Sequence, residues 1–79
     1  MYWNHRVIRS RRDGEDWYAI HEVYYDDEDR PEACTAIPEA VEGESLEELD
    51  RYLAWMRASL RQPVLTVDDA GRLVEDEAG

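Results

Sequence analysis

His5, His21 and Cys34 carry the nitrogen and sulfur atoms of this sequence best suited to soft metal ligation or nucleophilic chemistry. A catalytic cysteine needs a base within hydrogen-bond reach, and a zinc centre needs three or four converging ligands. Nothing in the local spacing supplies either, and a lone cysteine excludes an internal disulfide and a cysteine-based zinc site. The run Asp26-Asp27-Glu28-Asp29 offers oxygen ligands. An EF-hand, however, needs a longer loop with acids at alternate positions, a central glycine and a closing glutamate, so this run reads as a solvated turn. Gly14, Gly43, Gly71 and Gly79 are too scattered to cradle a phosphate. Among twenty acids, no single carboxylate pair identifies itself as an acid–base couple. The expectation is a non-enzymatic protein without catalytic residues, metal ligands or a cofactor.

The elements that must position these side chains begin with a hairpin. Residues 3–10 and 16–25 are rich in β-branched and aromatic side chains, and the Asp13-Gly14 pair between them suits a type I′ turn. That turn sets Arg12 opposite Glu15, Val7 opposite Ile20, His5 opposite Glu22 and Trp3 opposite Tyr24. His5 and His21 then point to opposite faces and cannot share one ion. Arg6, Ile8, Trp17, Ala19, His21, Val23 and Tyr25 occupy the second face. Both faces hold apolar residues, and the pattern leaves open which one covers the core. Residues 32–37 are expected to return as a shorter third strand, ended by Pro38.

Ser45-Leu46-Glu47-Glu48 is a capping box that starts a helix. Leu46, Leu49, Leu53, Met56 and Leu60, with Tyr52 alongside, recur at three- and four-residue steps and form a stripe expected to pack on the sheet. Acids at Glu47, Glu48 and Asp50 and arginines at Arg57 and Arg61 match the helix dipole, and Pro63 stops the helix. Residues 64–67 are expected to add an edge strand and Leu73-Val74 a short return, with an acidic tail at 75–79 frayed. The fold class is α+β: an antiparallel sheet of three to four strands with one amphipathic helix on one face, in a single domain over residues 1–79.

Composition narrows the partners. Seventy-nine residues with 43% hydrophobic content suffice for one small core, and 37% charged residues give a net charge of −11. That charge repels nucleic acids and anionic membranes and attracts basic protein surfaces. No stretch has the apolar length of a signal peptide or a membrane-spanning helix, so a cytoplasmic protein is expected. Arg6, Arg9, Arg11 and Arg12 precede the first acid, whereas residues 13–50 hold fifteen acids against Arg30 alone. The strand arginines are expected to pair with neighbouring acids rather than to form a nucleic-acid arm. In the acidic middle, alternate strand residues lie about 6.6 Å apart. This is close to the roughly 6–7 Å between phosphates two steps apart along one strand of nucleic acid. Such acids can stand in for phosphates.

Arg6-Val7-Ile8-Arg9, the segment Trp17-Tyr18-Ala19-Ile20-His21-Glu22-Val23-Tyr24-Tyr25-Asp26, Ser45-Leu46-Glu47-Glu48-Leu49 and Pro63-Val64-Leu65 resemble a family of small acidic bacterial and phage proteins. The resemblance implies no enzymatic activity. Size and acidity also resemble the phage-encoded anti-CRISPR proteins that inhibit type I surveillance complexes, several of which block the groove for target DNA. The resulting expectation is an acidic inhibitor docking on a basic nucleic-acid-binding surface. Asp26, Asp27, Glu28, Asp29 and Glu32 would make the charged contacts, with Tyr24 or Tyr25 as aromatic anchors. The alternative is a generic bacterial interaction module, antitoxin-like or regulatory, that uses an exposed sheet face or edge with Trp3, Trp17 or Trp55.

Overall fold

Asp13 and Gly14 both take left-handed backbone conformations, φ 53° and 81°, as a type I′ turn requires. The turn joins β1 (Tyr2–Arg12) to β2 (Glu15–Tyr25) in a long antiparallel ribbon with the expected register, including Val7 opposite Ile20 and His5 opposite Glu22. A computed structural model describes residues 2–77 of the chain. The third strand, β3 (Pro31–Cys34), pairs antiparallel with β2 and is shorter than the 32–37 expected. Helix α1 (Leu46–Ala58) follows, continued by a 3₁₀ turn at Ser59–Arg61. Two short strands close the chain, β4 (Leu65–Val67) and β5 (Leu73–Glu75).

The sheet has five strands in the order β3-β2-β1-β4-β5. This corrects the expected three- to four-stranded antiparallel sheet, because β4 pairs parallel with β1, Ile8 beside Leu65. The α1 crossover makes that possible: it returns the chain to the free edge of β1 running in the same direction. Thr66 secures the pairing by donating its hydroxyl to the Arg9 carbonyl at 3.0 Å.

Both sheet faces are covered, each in its own way. Ile8, Val23, Tyr25 and Leu65 form the central core, and Cys34 of β3 and Leu73 of β5 pack against it. Strands β3 and β5 also approach one another, so the sheet curls around this face. Arg6 lies on the same side, buried, donating Nη1 to the Tyr25 hydroxyl at 2.8 Å and Nη2 to the Pro63 carbonyl at 2.6 Å. The opposite face meets α1 through Tyr52 and Trp55, whose rings lie 5.6 and 4.6 Å from His5.

Helix α1 is rotated away from the expected leucine stripe. Met56 is buried, but Leu46, Leu53 and Leu60 are 84%, 46% and 64% exposed. Tyr52, Trp55, Met56 and Ser59 follow the same three-and-four spacing one position over. Large rings engage His5 and Trp3 along this line, and aromatic contacts of that kind bury more area than the leucines beside them. Ser45 caps the helix as expected, its Oγ accepting from the Glu48 N–H at 3.1 Å, but the return bond of a capping box is displaced by one residue: Glu48 Oε1 accepts from the Glu44 N–H at 3.4 Å.

The β2–β3 and β4–β5 connections are the same turn built twice. Asp26 Oδ1 accepts from the N–H groups of Glu28 and Arg30, and Asp68 Oδ1 from those of Ala70 and Arg72, at 2.9–3.0 Å. The arginine of each turn pairs back with its aspartate. The fourth position is left-handed in both, Asp29 at φ 60° and Gly71 at φ 81°. Beyond the second turn, the expected frayed tail does not begin at 75: Glu75 ends β5 and Asp76 forms an ion pair with Arg9. Residues 78 and 79 of that tail lie outside the described residues.

Candidate functional site

The acidic β2–β3 turn is shaped by Asp26, whose carboxylate faces inward. Its backbone N–H donates to the Arg30 carbonyl at 2.9 Å, and the N–H donors aimed at its side chain hold its carboxyl below the ordinary range. Arg30 also reaches Glu28 at 3.4 Å. Asp27, Asp29 and Glu32 are exposed and make no ion pair among the described residues. Together with Tyr2, Tyr25 and Asp26 they line an open cleft of about 620 Å³. The cleft concentrates negative charge in a concave surface that a cationic side chain can enter.

Of the two tyrosines expected as anchors, Tyr25 lines the cleft and Tyr24 does not. Tyr25 is 8% exposed, and its hydroxyl donates to Asn4 Oδ1 at 2.8 Å while accepting from Arg6. Tyr2, with its ring centroid 5.1 Å away, is the exposed ring of the cleft. Tyr24 is on the helix side of β2, where its hydroxyl donates to Glu22 Oε1 at 2.7 Å, a bond that raises its pKa. Residue-type patterning had no means of separating Tyr24 from Tyr25; strand alternation does so once the curled face is known.

A second cluster lies under α1. His5 is 3% exposed, and neither ring nitrogen has a hydrogen-bond partner among the described residues. A buried unpaired nitrogen costs about 1–3 kcal/mol. One of its nitrogens and single carboxylate oxygens of Glu22 and Glu39 lie within 4.8 Å of one another. Glu22 is the cross-strand partner that the hairpin register supplies. Glu39 comes from the loop before α1, fixed by its own N–H donating to the Ile20 carbonyl at 2.9 Å. Tyr52 donates its hydroxyl to Glu39 Oε1 at 2.8 Å; burial first, then that bond, push its pKa up to about 12. Trp3, Tyr52 and Trp55 ring the imidazole and limit water. Sequence reasoning paired His5 with Glu22 but missed Glu39, because a loop residue carries no periodicity to place it.

The remaining reactive groups are engaged in the fold. His21 Nδ1 lies 3.0 Å from the Thr35 carbonyl, on the opposite sheet face from His5 as expected. Burial raises the Cys34 thiol pKa, which lowers its nucleophilicity. The strand arginines pair with acids only in part: Arg9 and Arg11 share Asp16, whereas Arg12 stacks 4.5 Å from the Trp17 ring and Arg6 bonds a phenol and a carbonyl. Among the described residues no helix is long and apolar enough to cross a membrane. No family model matches the chain, and no match was found among the curated proteins or the solved structures.

Proposed function

We propose that this chain is a non-enzymatic binding protein that presents its acidic cleft to a basic, nucleic-acid-binding surface of another protein. The observation that carries this reading is the group Asp27, Asp29 and Glu32, exposed around one cleft with no cation paired to them among the described residues. Unsatisfied carboxylates in a concavity, on a chain of net charge −11, favour fast, salt-sensitive docking on arginine- and lysine-rich surfaces. The choice of partner, a type I CRISPR surveillance complex whose target-DNA site is blocked, rests on the sequence resemblance. It puts both proteins in the cytoplasm of a bacterial cell.

The test is DNA binding by a purified type I surveillance complex, with and without this protein, at low and high salt. Inhibition that salt relieves is expected. The triple variant Asp27→Asn, Asp29→Asn, Glu32→Gln should weaken inhibition at least about tenfold at low salt, by removing rim charges that steer association. Asp26 is left intact because it builds the turn. Inhibition undiminished in the triple variant would exclude the cleft.

A specific observation favours a generic interaction module as the second reading. Ile20, Val41, Leu53, Ala54 and Leu60 line an open, largely apolar groove of about 510 Å³ beside α1. Binding through it would resist salt and fail with Leu53→Glu, whereas the triple cleft variant would leave it unchanged.

A further inference from the structure

We propose that His5, Glu22 and Glu39 form a binding site for a divalent transition-metal ion of the zinc class, independent of the acidic cleft. The ligand set is one imidazole nitrogen and two carboxylate oxygens, drawn from β1, β2 and the loop before α1 and lying within 4.8 Å of one another. A tetrahedral site with bonds of about 2.1 Å spaces its ligand atoms about 3.4 Å apart, so rotations that move atoms on the order of 1 Å close the set.

Proximity of acids alone would not distinguish this cluster in so acidic a chain. The second observation is His5 itself, 3% exposed, with both ring nitrogens unpartnered among the described residues. The imidazole lies beside two carboxylates that no arginine of the described residues neutralises. A cation satisfies the nitrogen and both acids at once.

The surroundings also resemble those of metal centres. Tyr24 donates to Glu22 and Tyr52 to Glu39, so each carboxylate is oriented by a phenol, as outer-shell partners orient ligands. Trp3 and Trp55 flank the imidazole. A nitrogen ligand among oxygens disfavours calcium and magnesium and suits zinc, cobalt or manganese. Three protein ligands leave a position for water or for a group brought by a partner. Bound there, the ion would clamp the loop carrying Glu39 onto the hairpin.

Isothermal titration of the intact chain with zinc chloride, paired with thermal melting, tests the site. One ion per chain and a raised Tm are expected with zinc, and no shift with calcium or magnesium. Glu39→Gln, at a half-buried loop position, should weaken zinc binding at least about tenfold while the apo chain melts as before. His5→Phe keeps an aromatic ring in the cage and should abolish the zinc-induced shift in Tm. On addition of diamagnetic zinc the His5 ring resonances should move far more than those of His21. Absence of saturable zinc binding at millimolar concentration would overturn the site. Binding unchanged by both His5→Phe and Glu39→Gln, or lost instead with Cys34→Ser, would overturn it equally.

Discussion

Asp29 and Gly71 hold the same left-handed position in two copies of one turn, and only one of them is a glycine. An L-residue in that conformation costs roughly 1–2 kcal/mol, offset in part because glycine adds entropy to the unfolded chain. Asp29→Gly should therefore stabilise the fold by up to about 1 kcal/mol, checked by the denaturant midpoint. Tyr52 gives the pH dependence its alkaline limit. Its folded pKa of about 12 stands above the ordinary value of 10, so the fold prefers the protonated phenol. The stability this contributes is fully present below pH 10 and is lost as pH rises toward 12. Tyr52→Phe should flatten that loss, read from melting temperatures across the range and from tyrosinate absorbance.

At the scale of elements, the helix face separates residues that a hydropathy pattern treats alike. Leu65 is fully buried in β4, whereas Leu46 is 84% exposed at the start of α1. Leu65→Ala should cost about 2–5 kcal/mol, and Leu46→Ala no more than about 0.5 kcal/mol, measured by chemical denaturation. The hairpin, its register and the helix start were legible because Asp13-Gly14, strand alternation and Ser45 through Glu48 are local signals. The roll of α1 was not, since Leu53 and Tyr52 lie on adjoining stripes and the choice depends on His5 and Trp3 across the interface. Parallel pairing of β4 was equally hidden: Leu65 reads as an edge residue until the crossover places it beside Ile8. For the sites, the acids of the cleft were legible as charge density. The inward use of Asp26 and the convergence of Glu39 on His5 depend on hydrogen bonds that only the folded chain makes.

Over the whole molecule, charge is divided by position. The arginines of β1 are engaged by Asp16, Asp76, Tyr25 and Trp17, leaving the acidic turn to dominate the field near the cleft. The cleft borders the curled face through Tyr25, but its acids Asp27, Asp29 and Glu32 are exposed, so their charges can change without disturbing the core. The parallel pairing of Ile8 with Leu65 has a consequence during synthesis. The hairpin and β3 use neighbouring stretches of chain, but the second neighbour of β1 is made 57 residues later (65 − 8). At about 5–20 residues per second, ribosomal elongation leaves that edge bare for roughly 3–11 s. During this interval β1 is a template for any strand at hand, including the edge strands β3 and β5 of a finished copy, and prompt capture of its own β4 protects the newborn chain from aggregation.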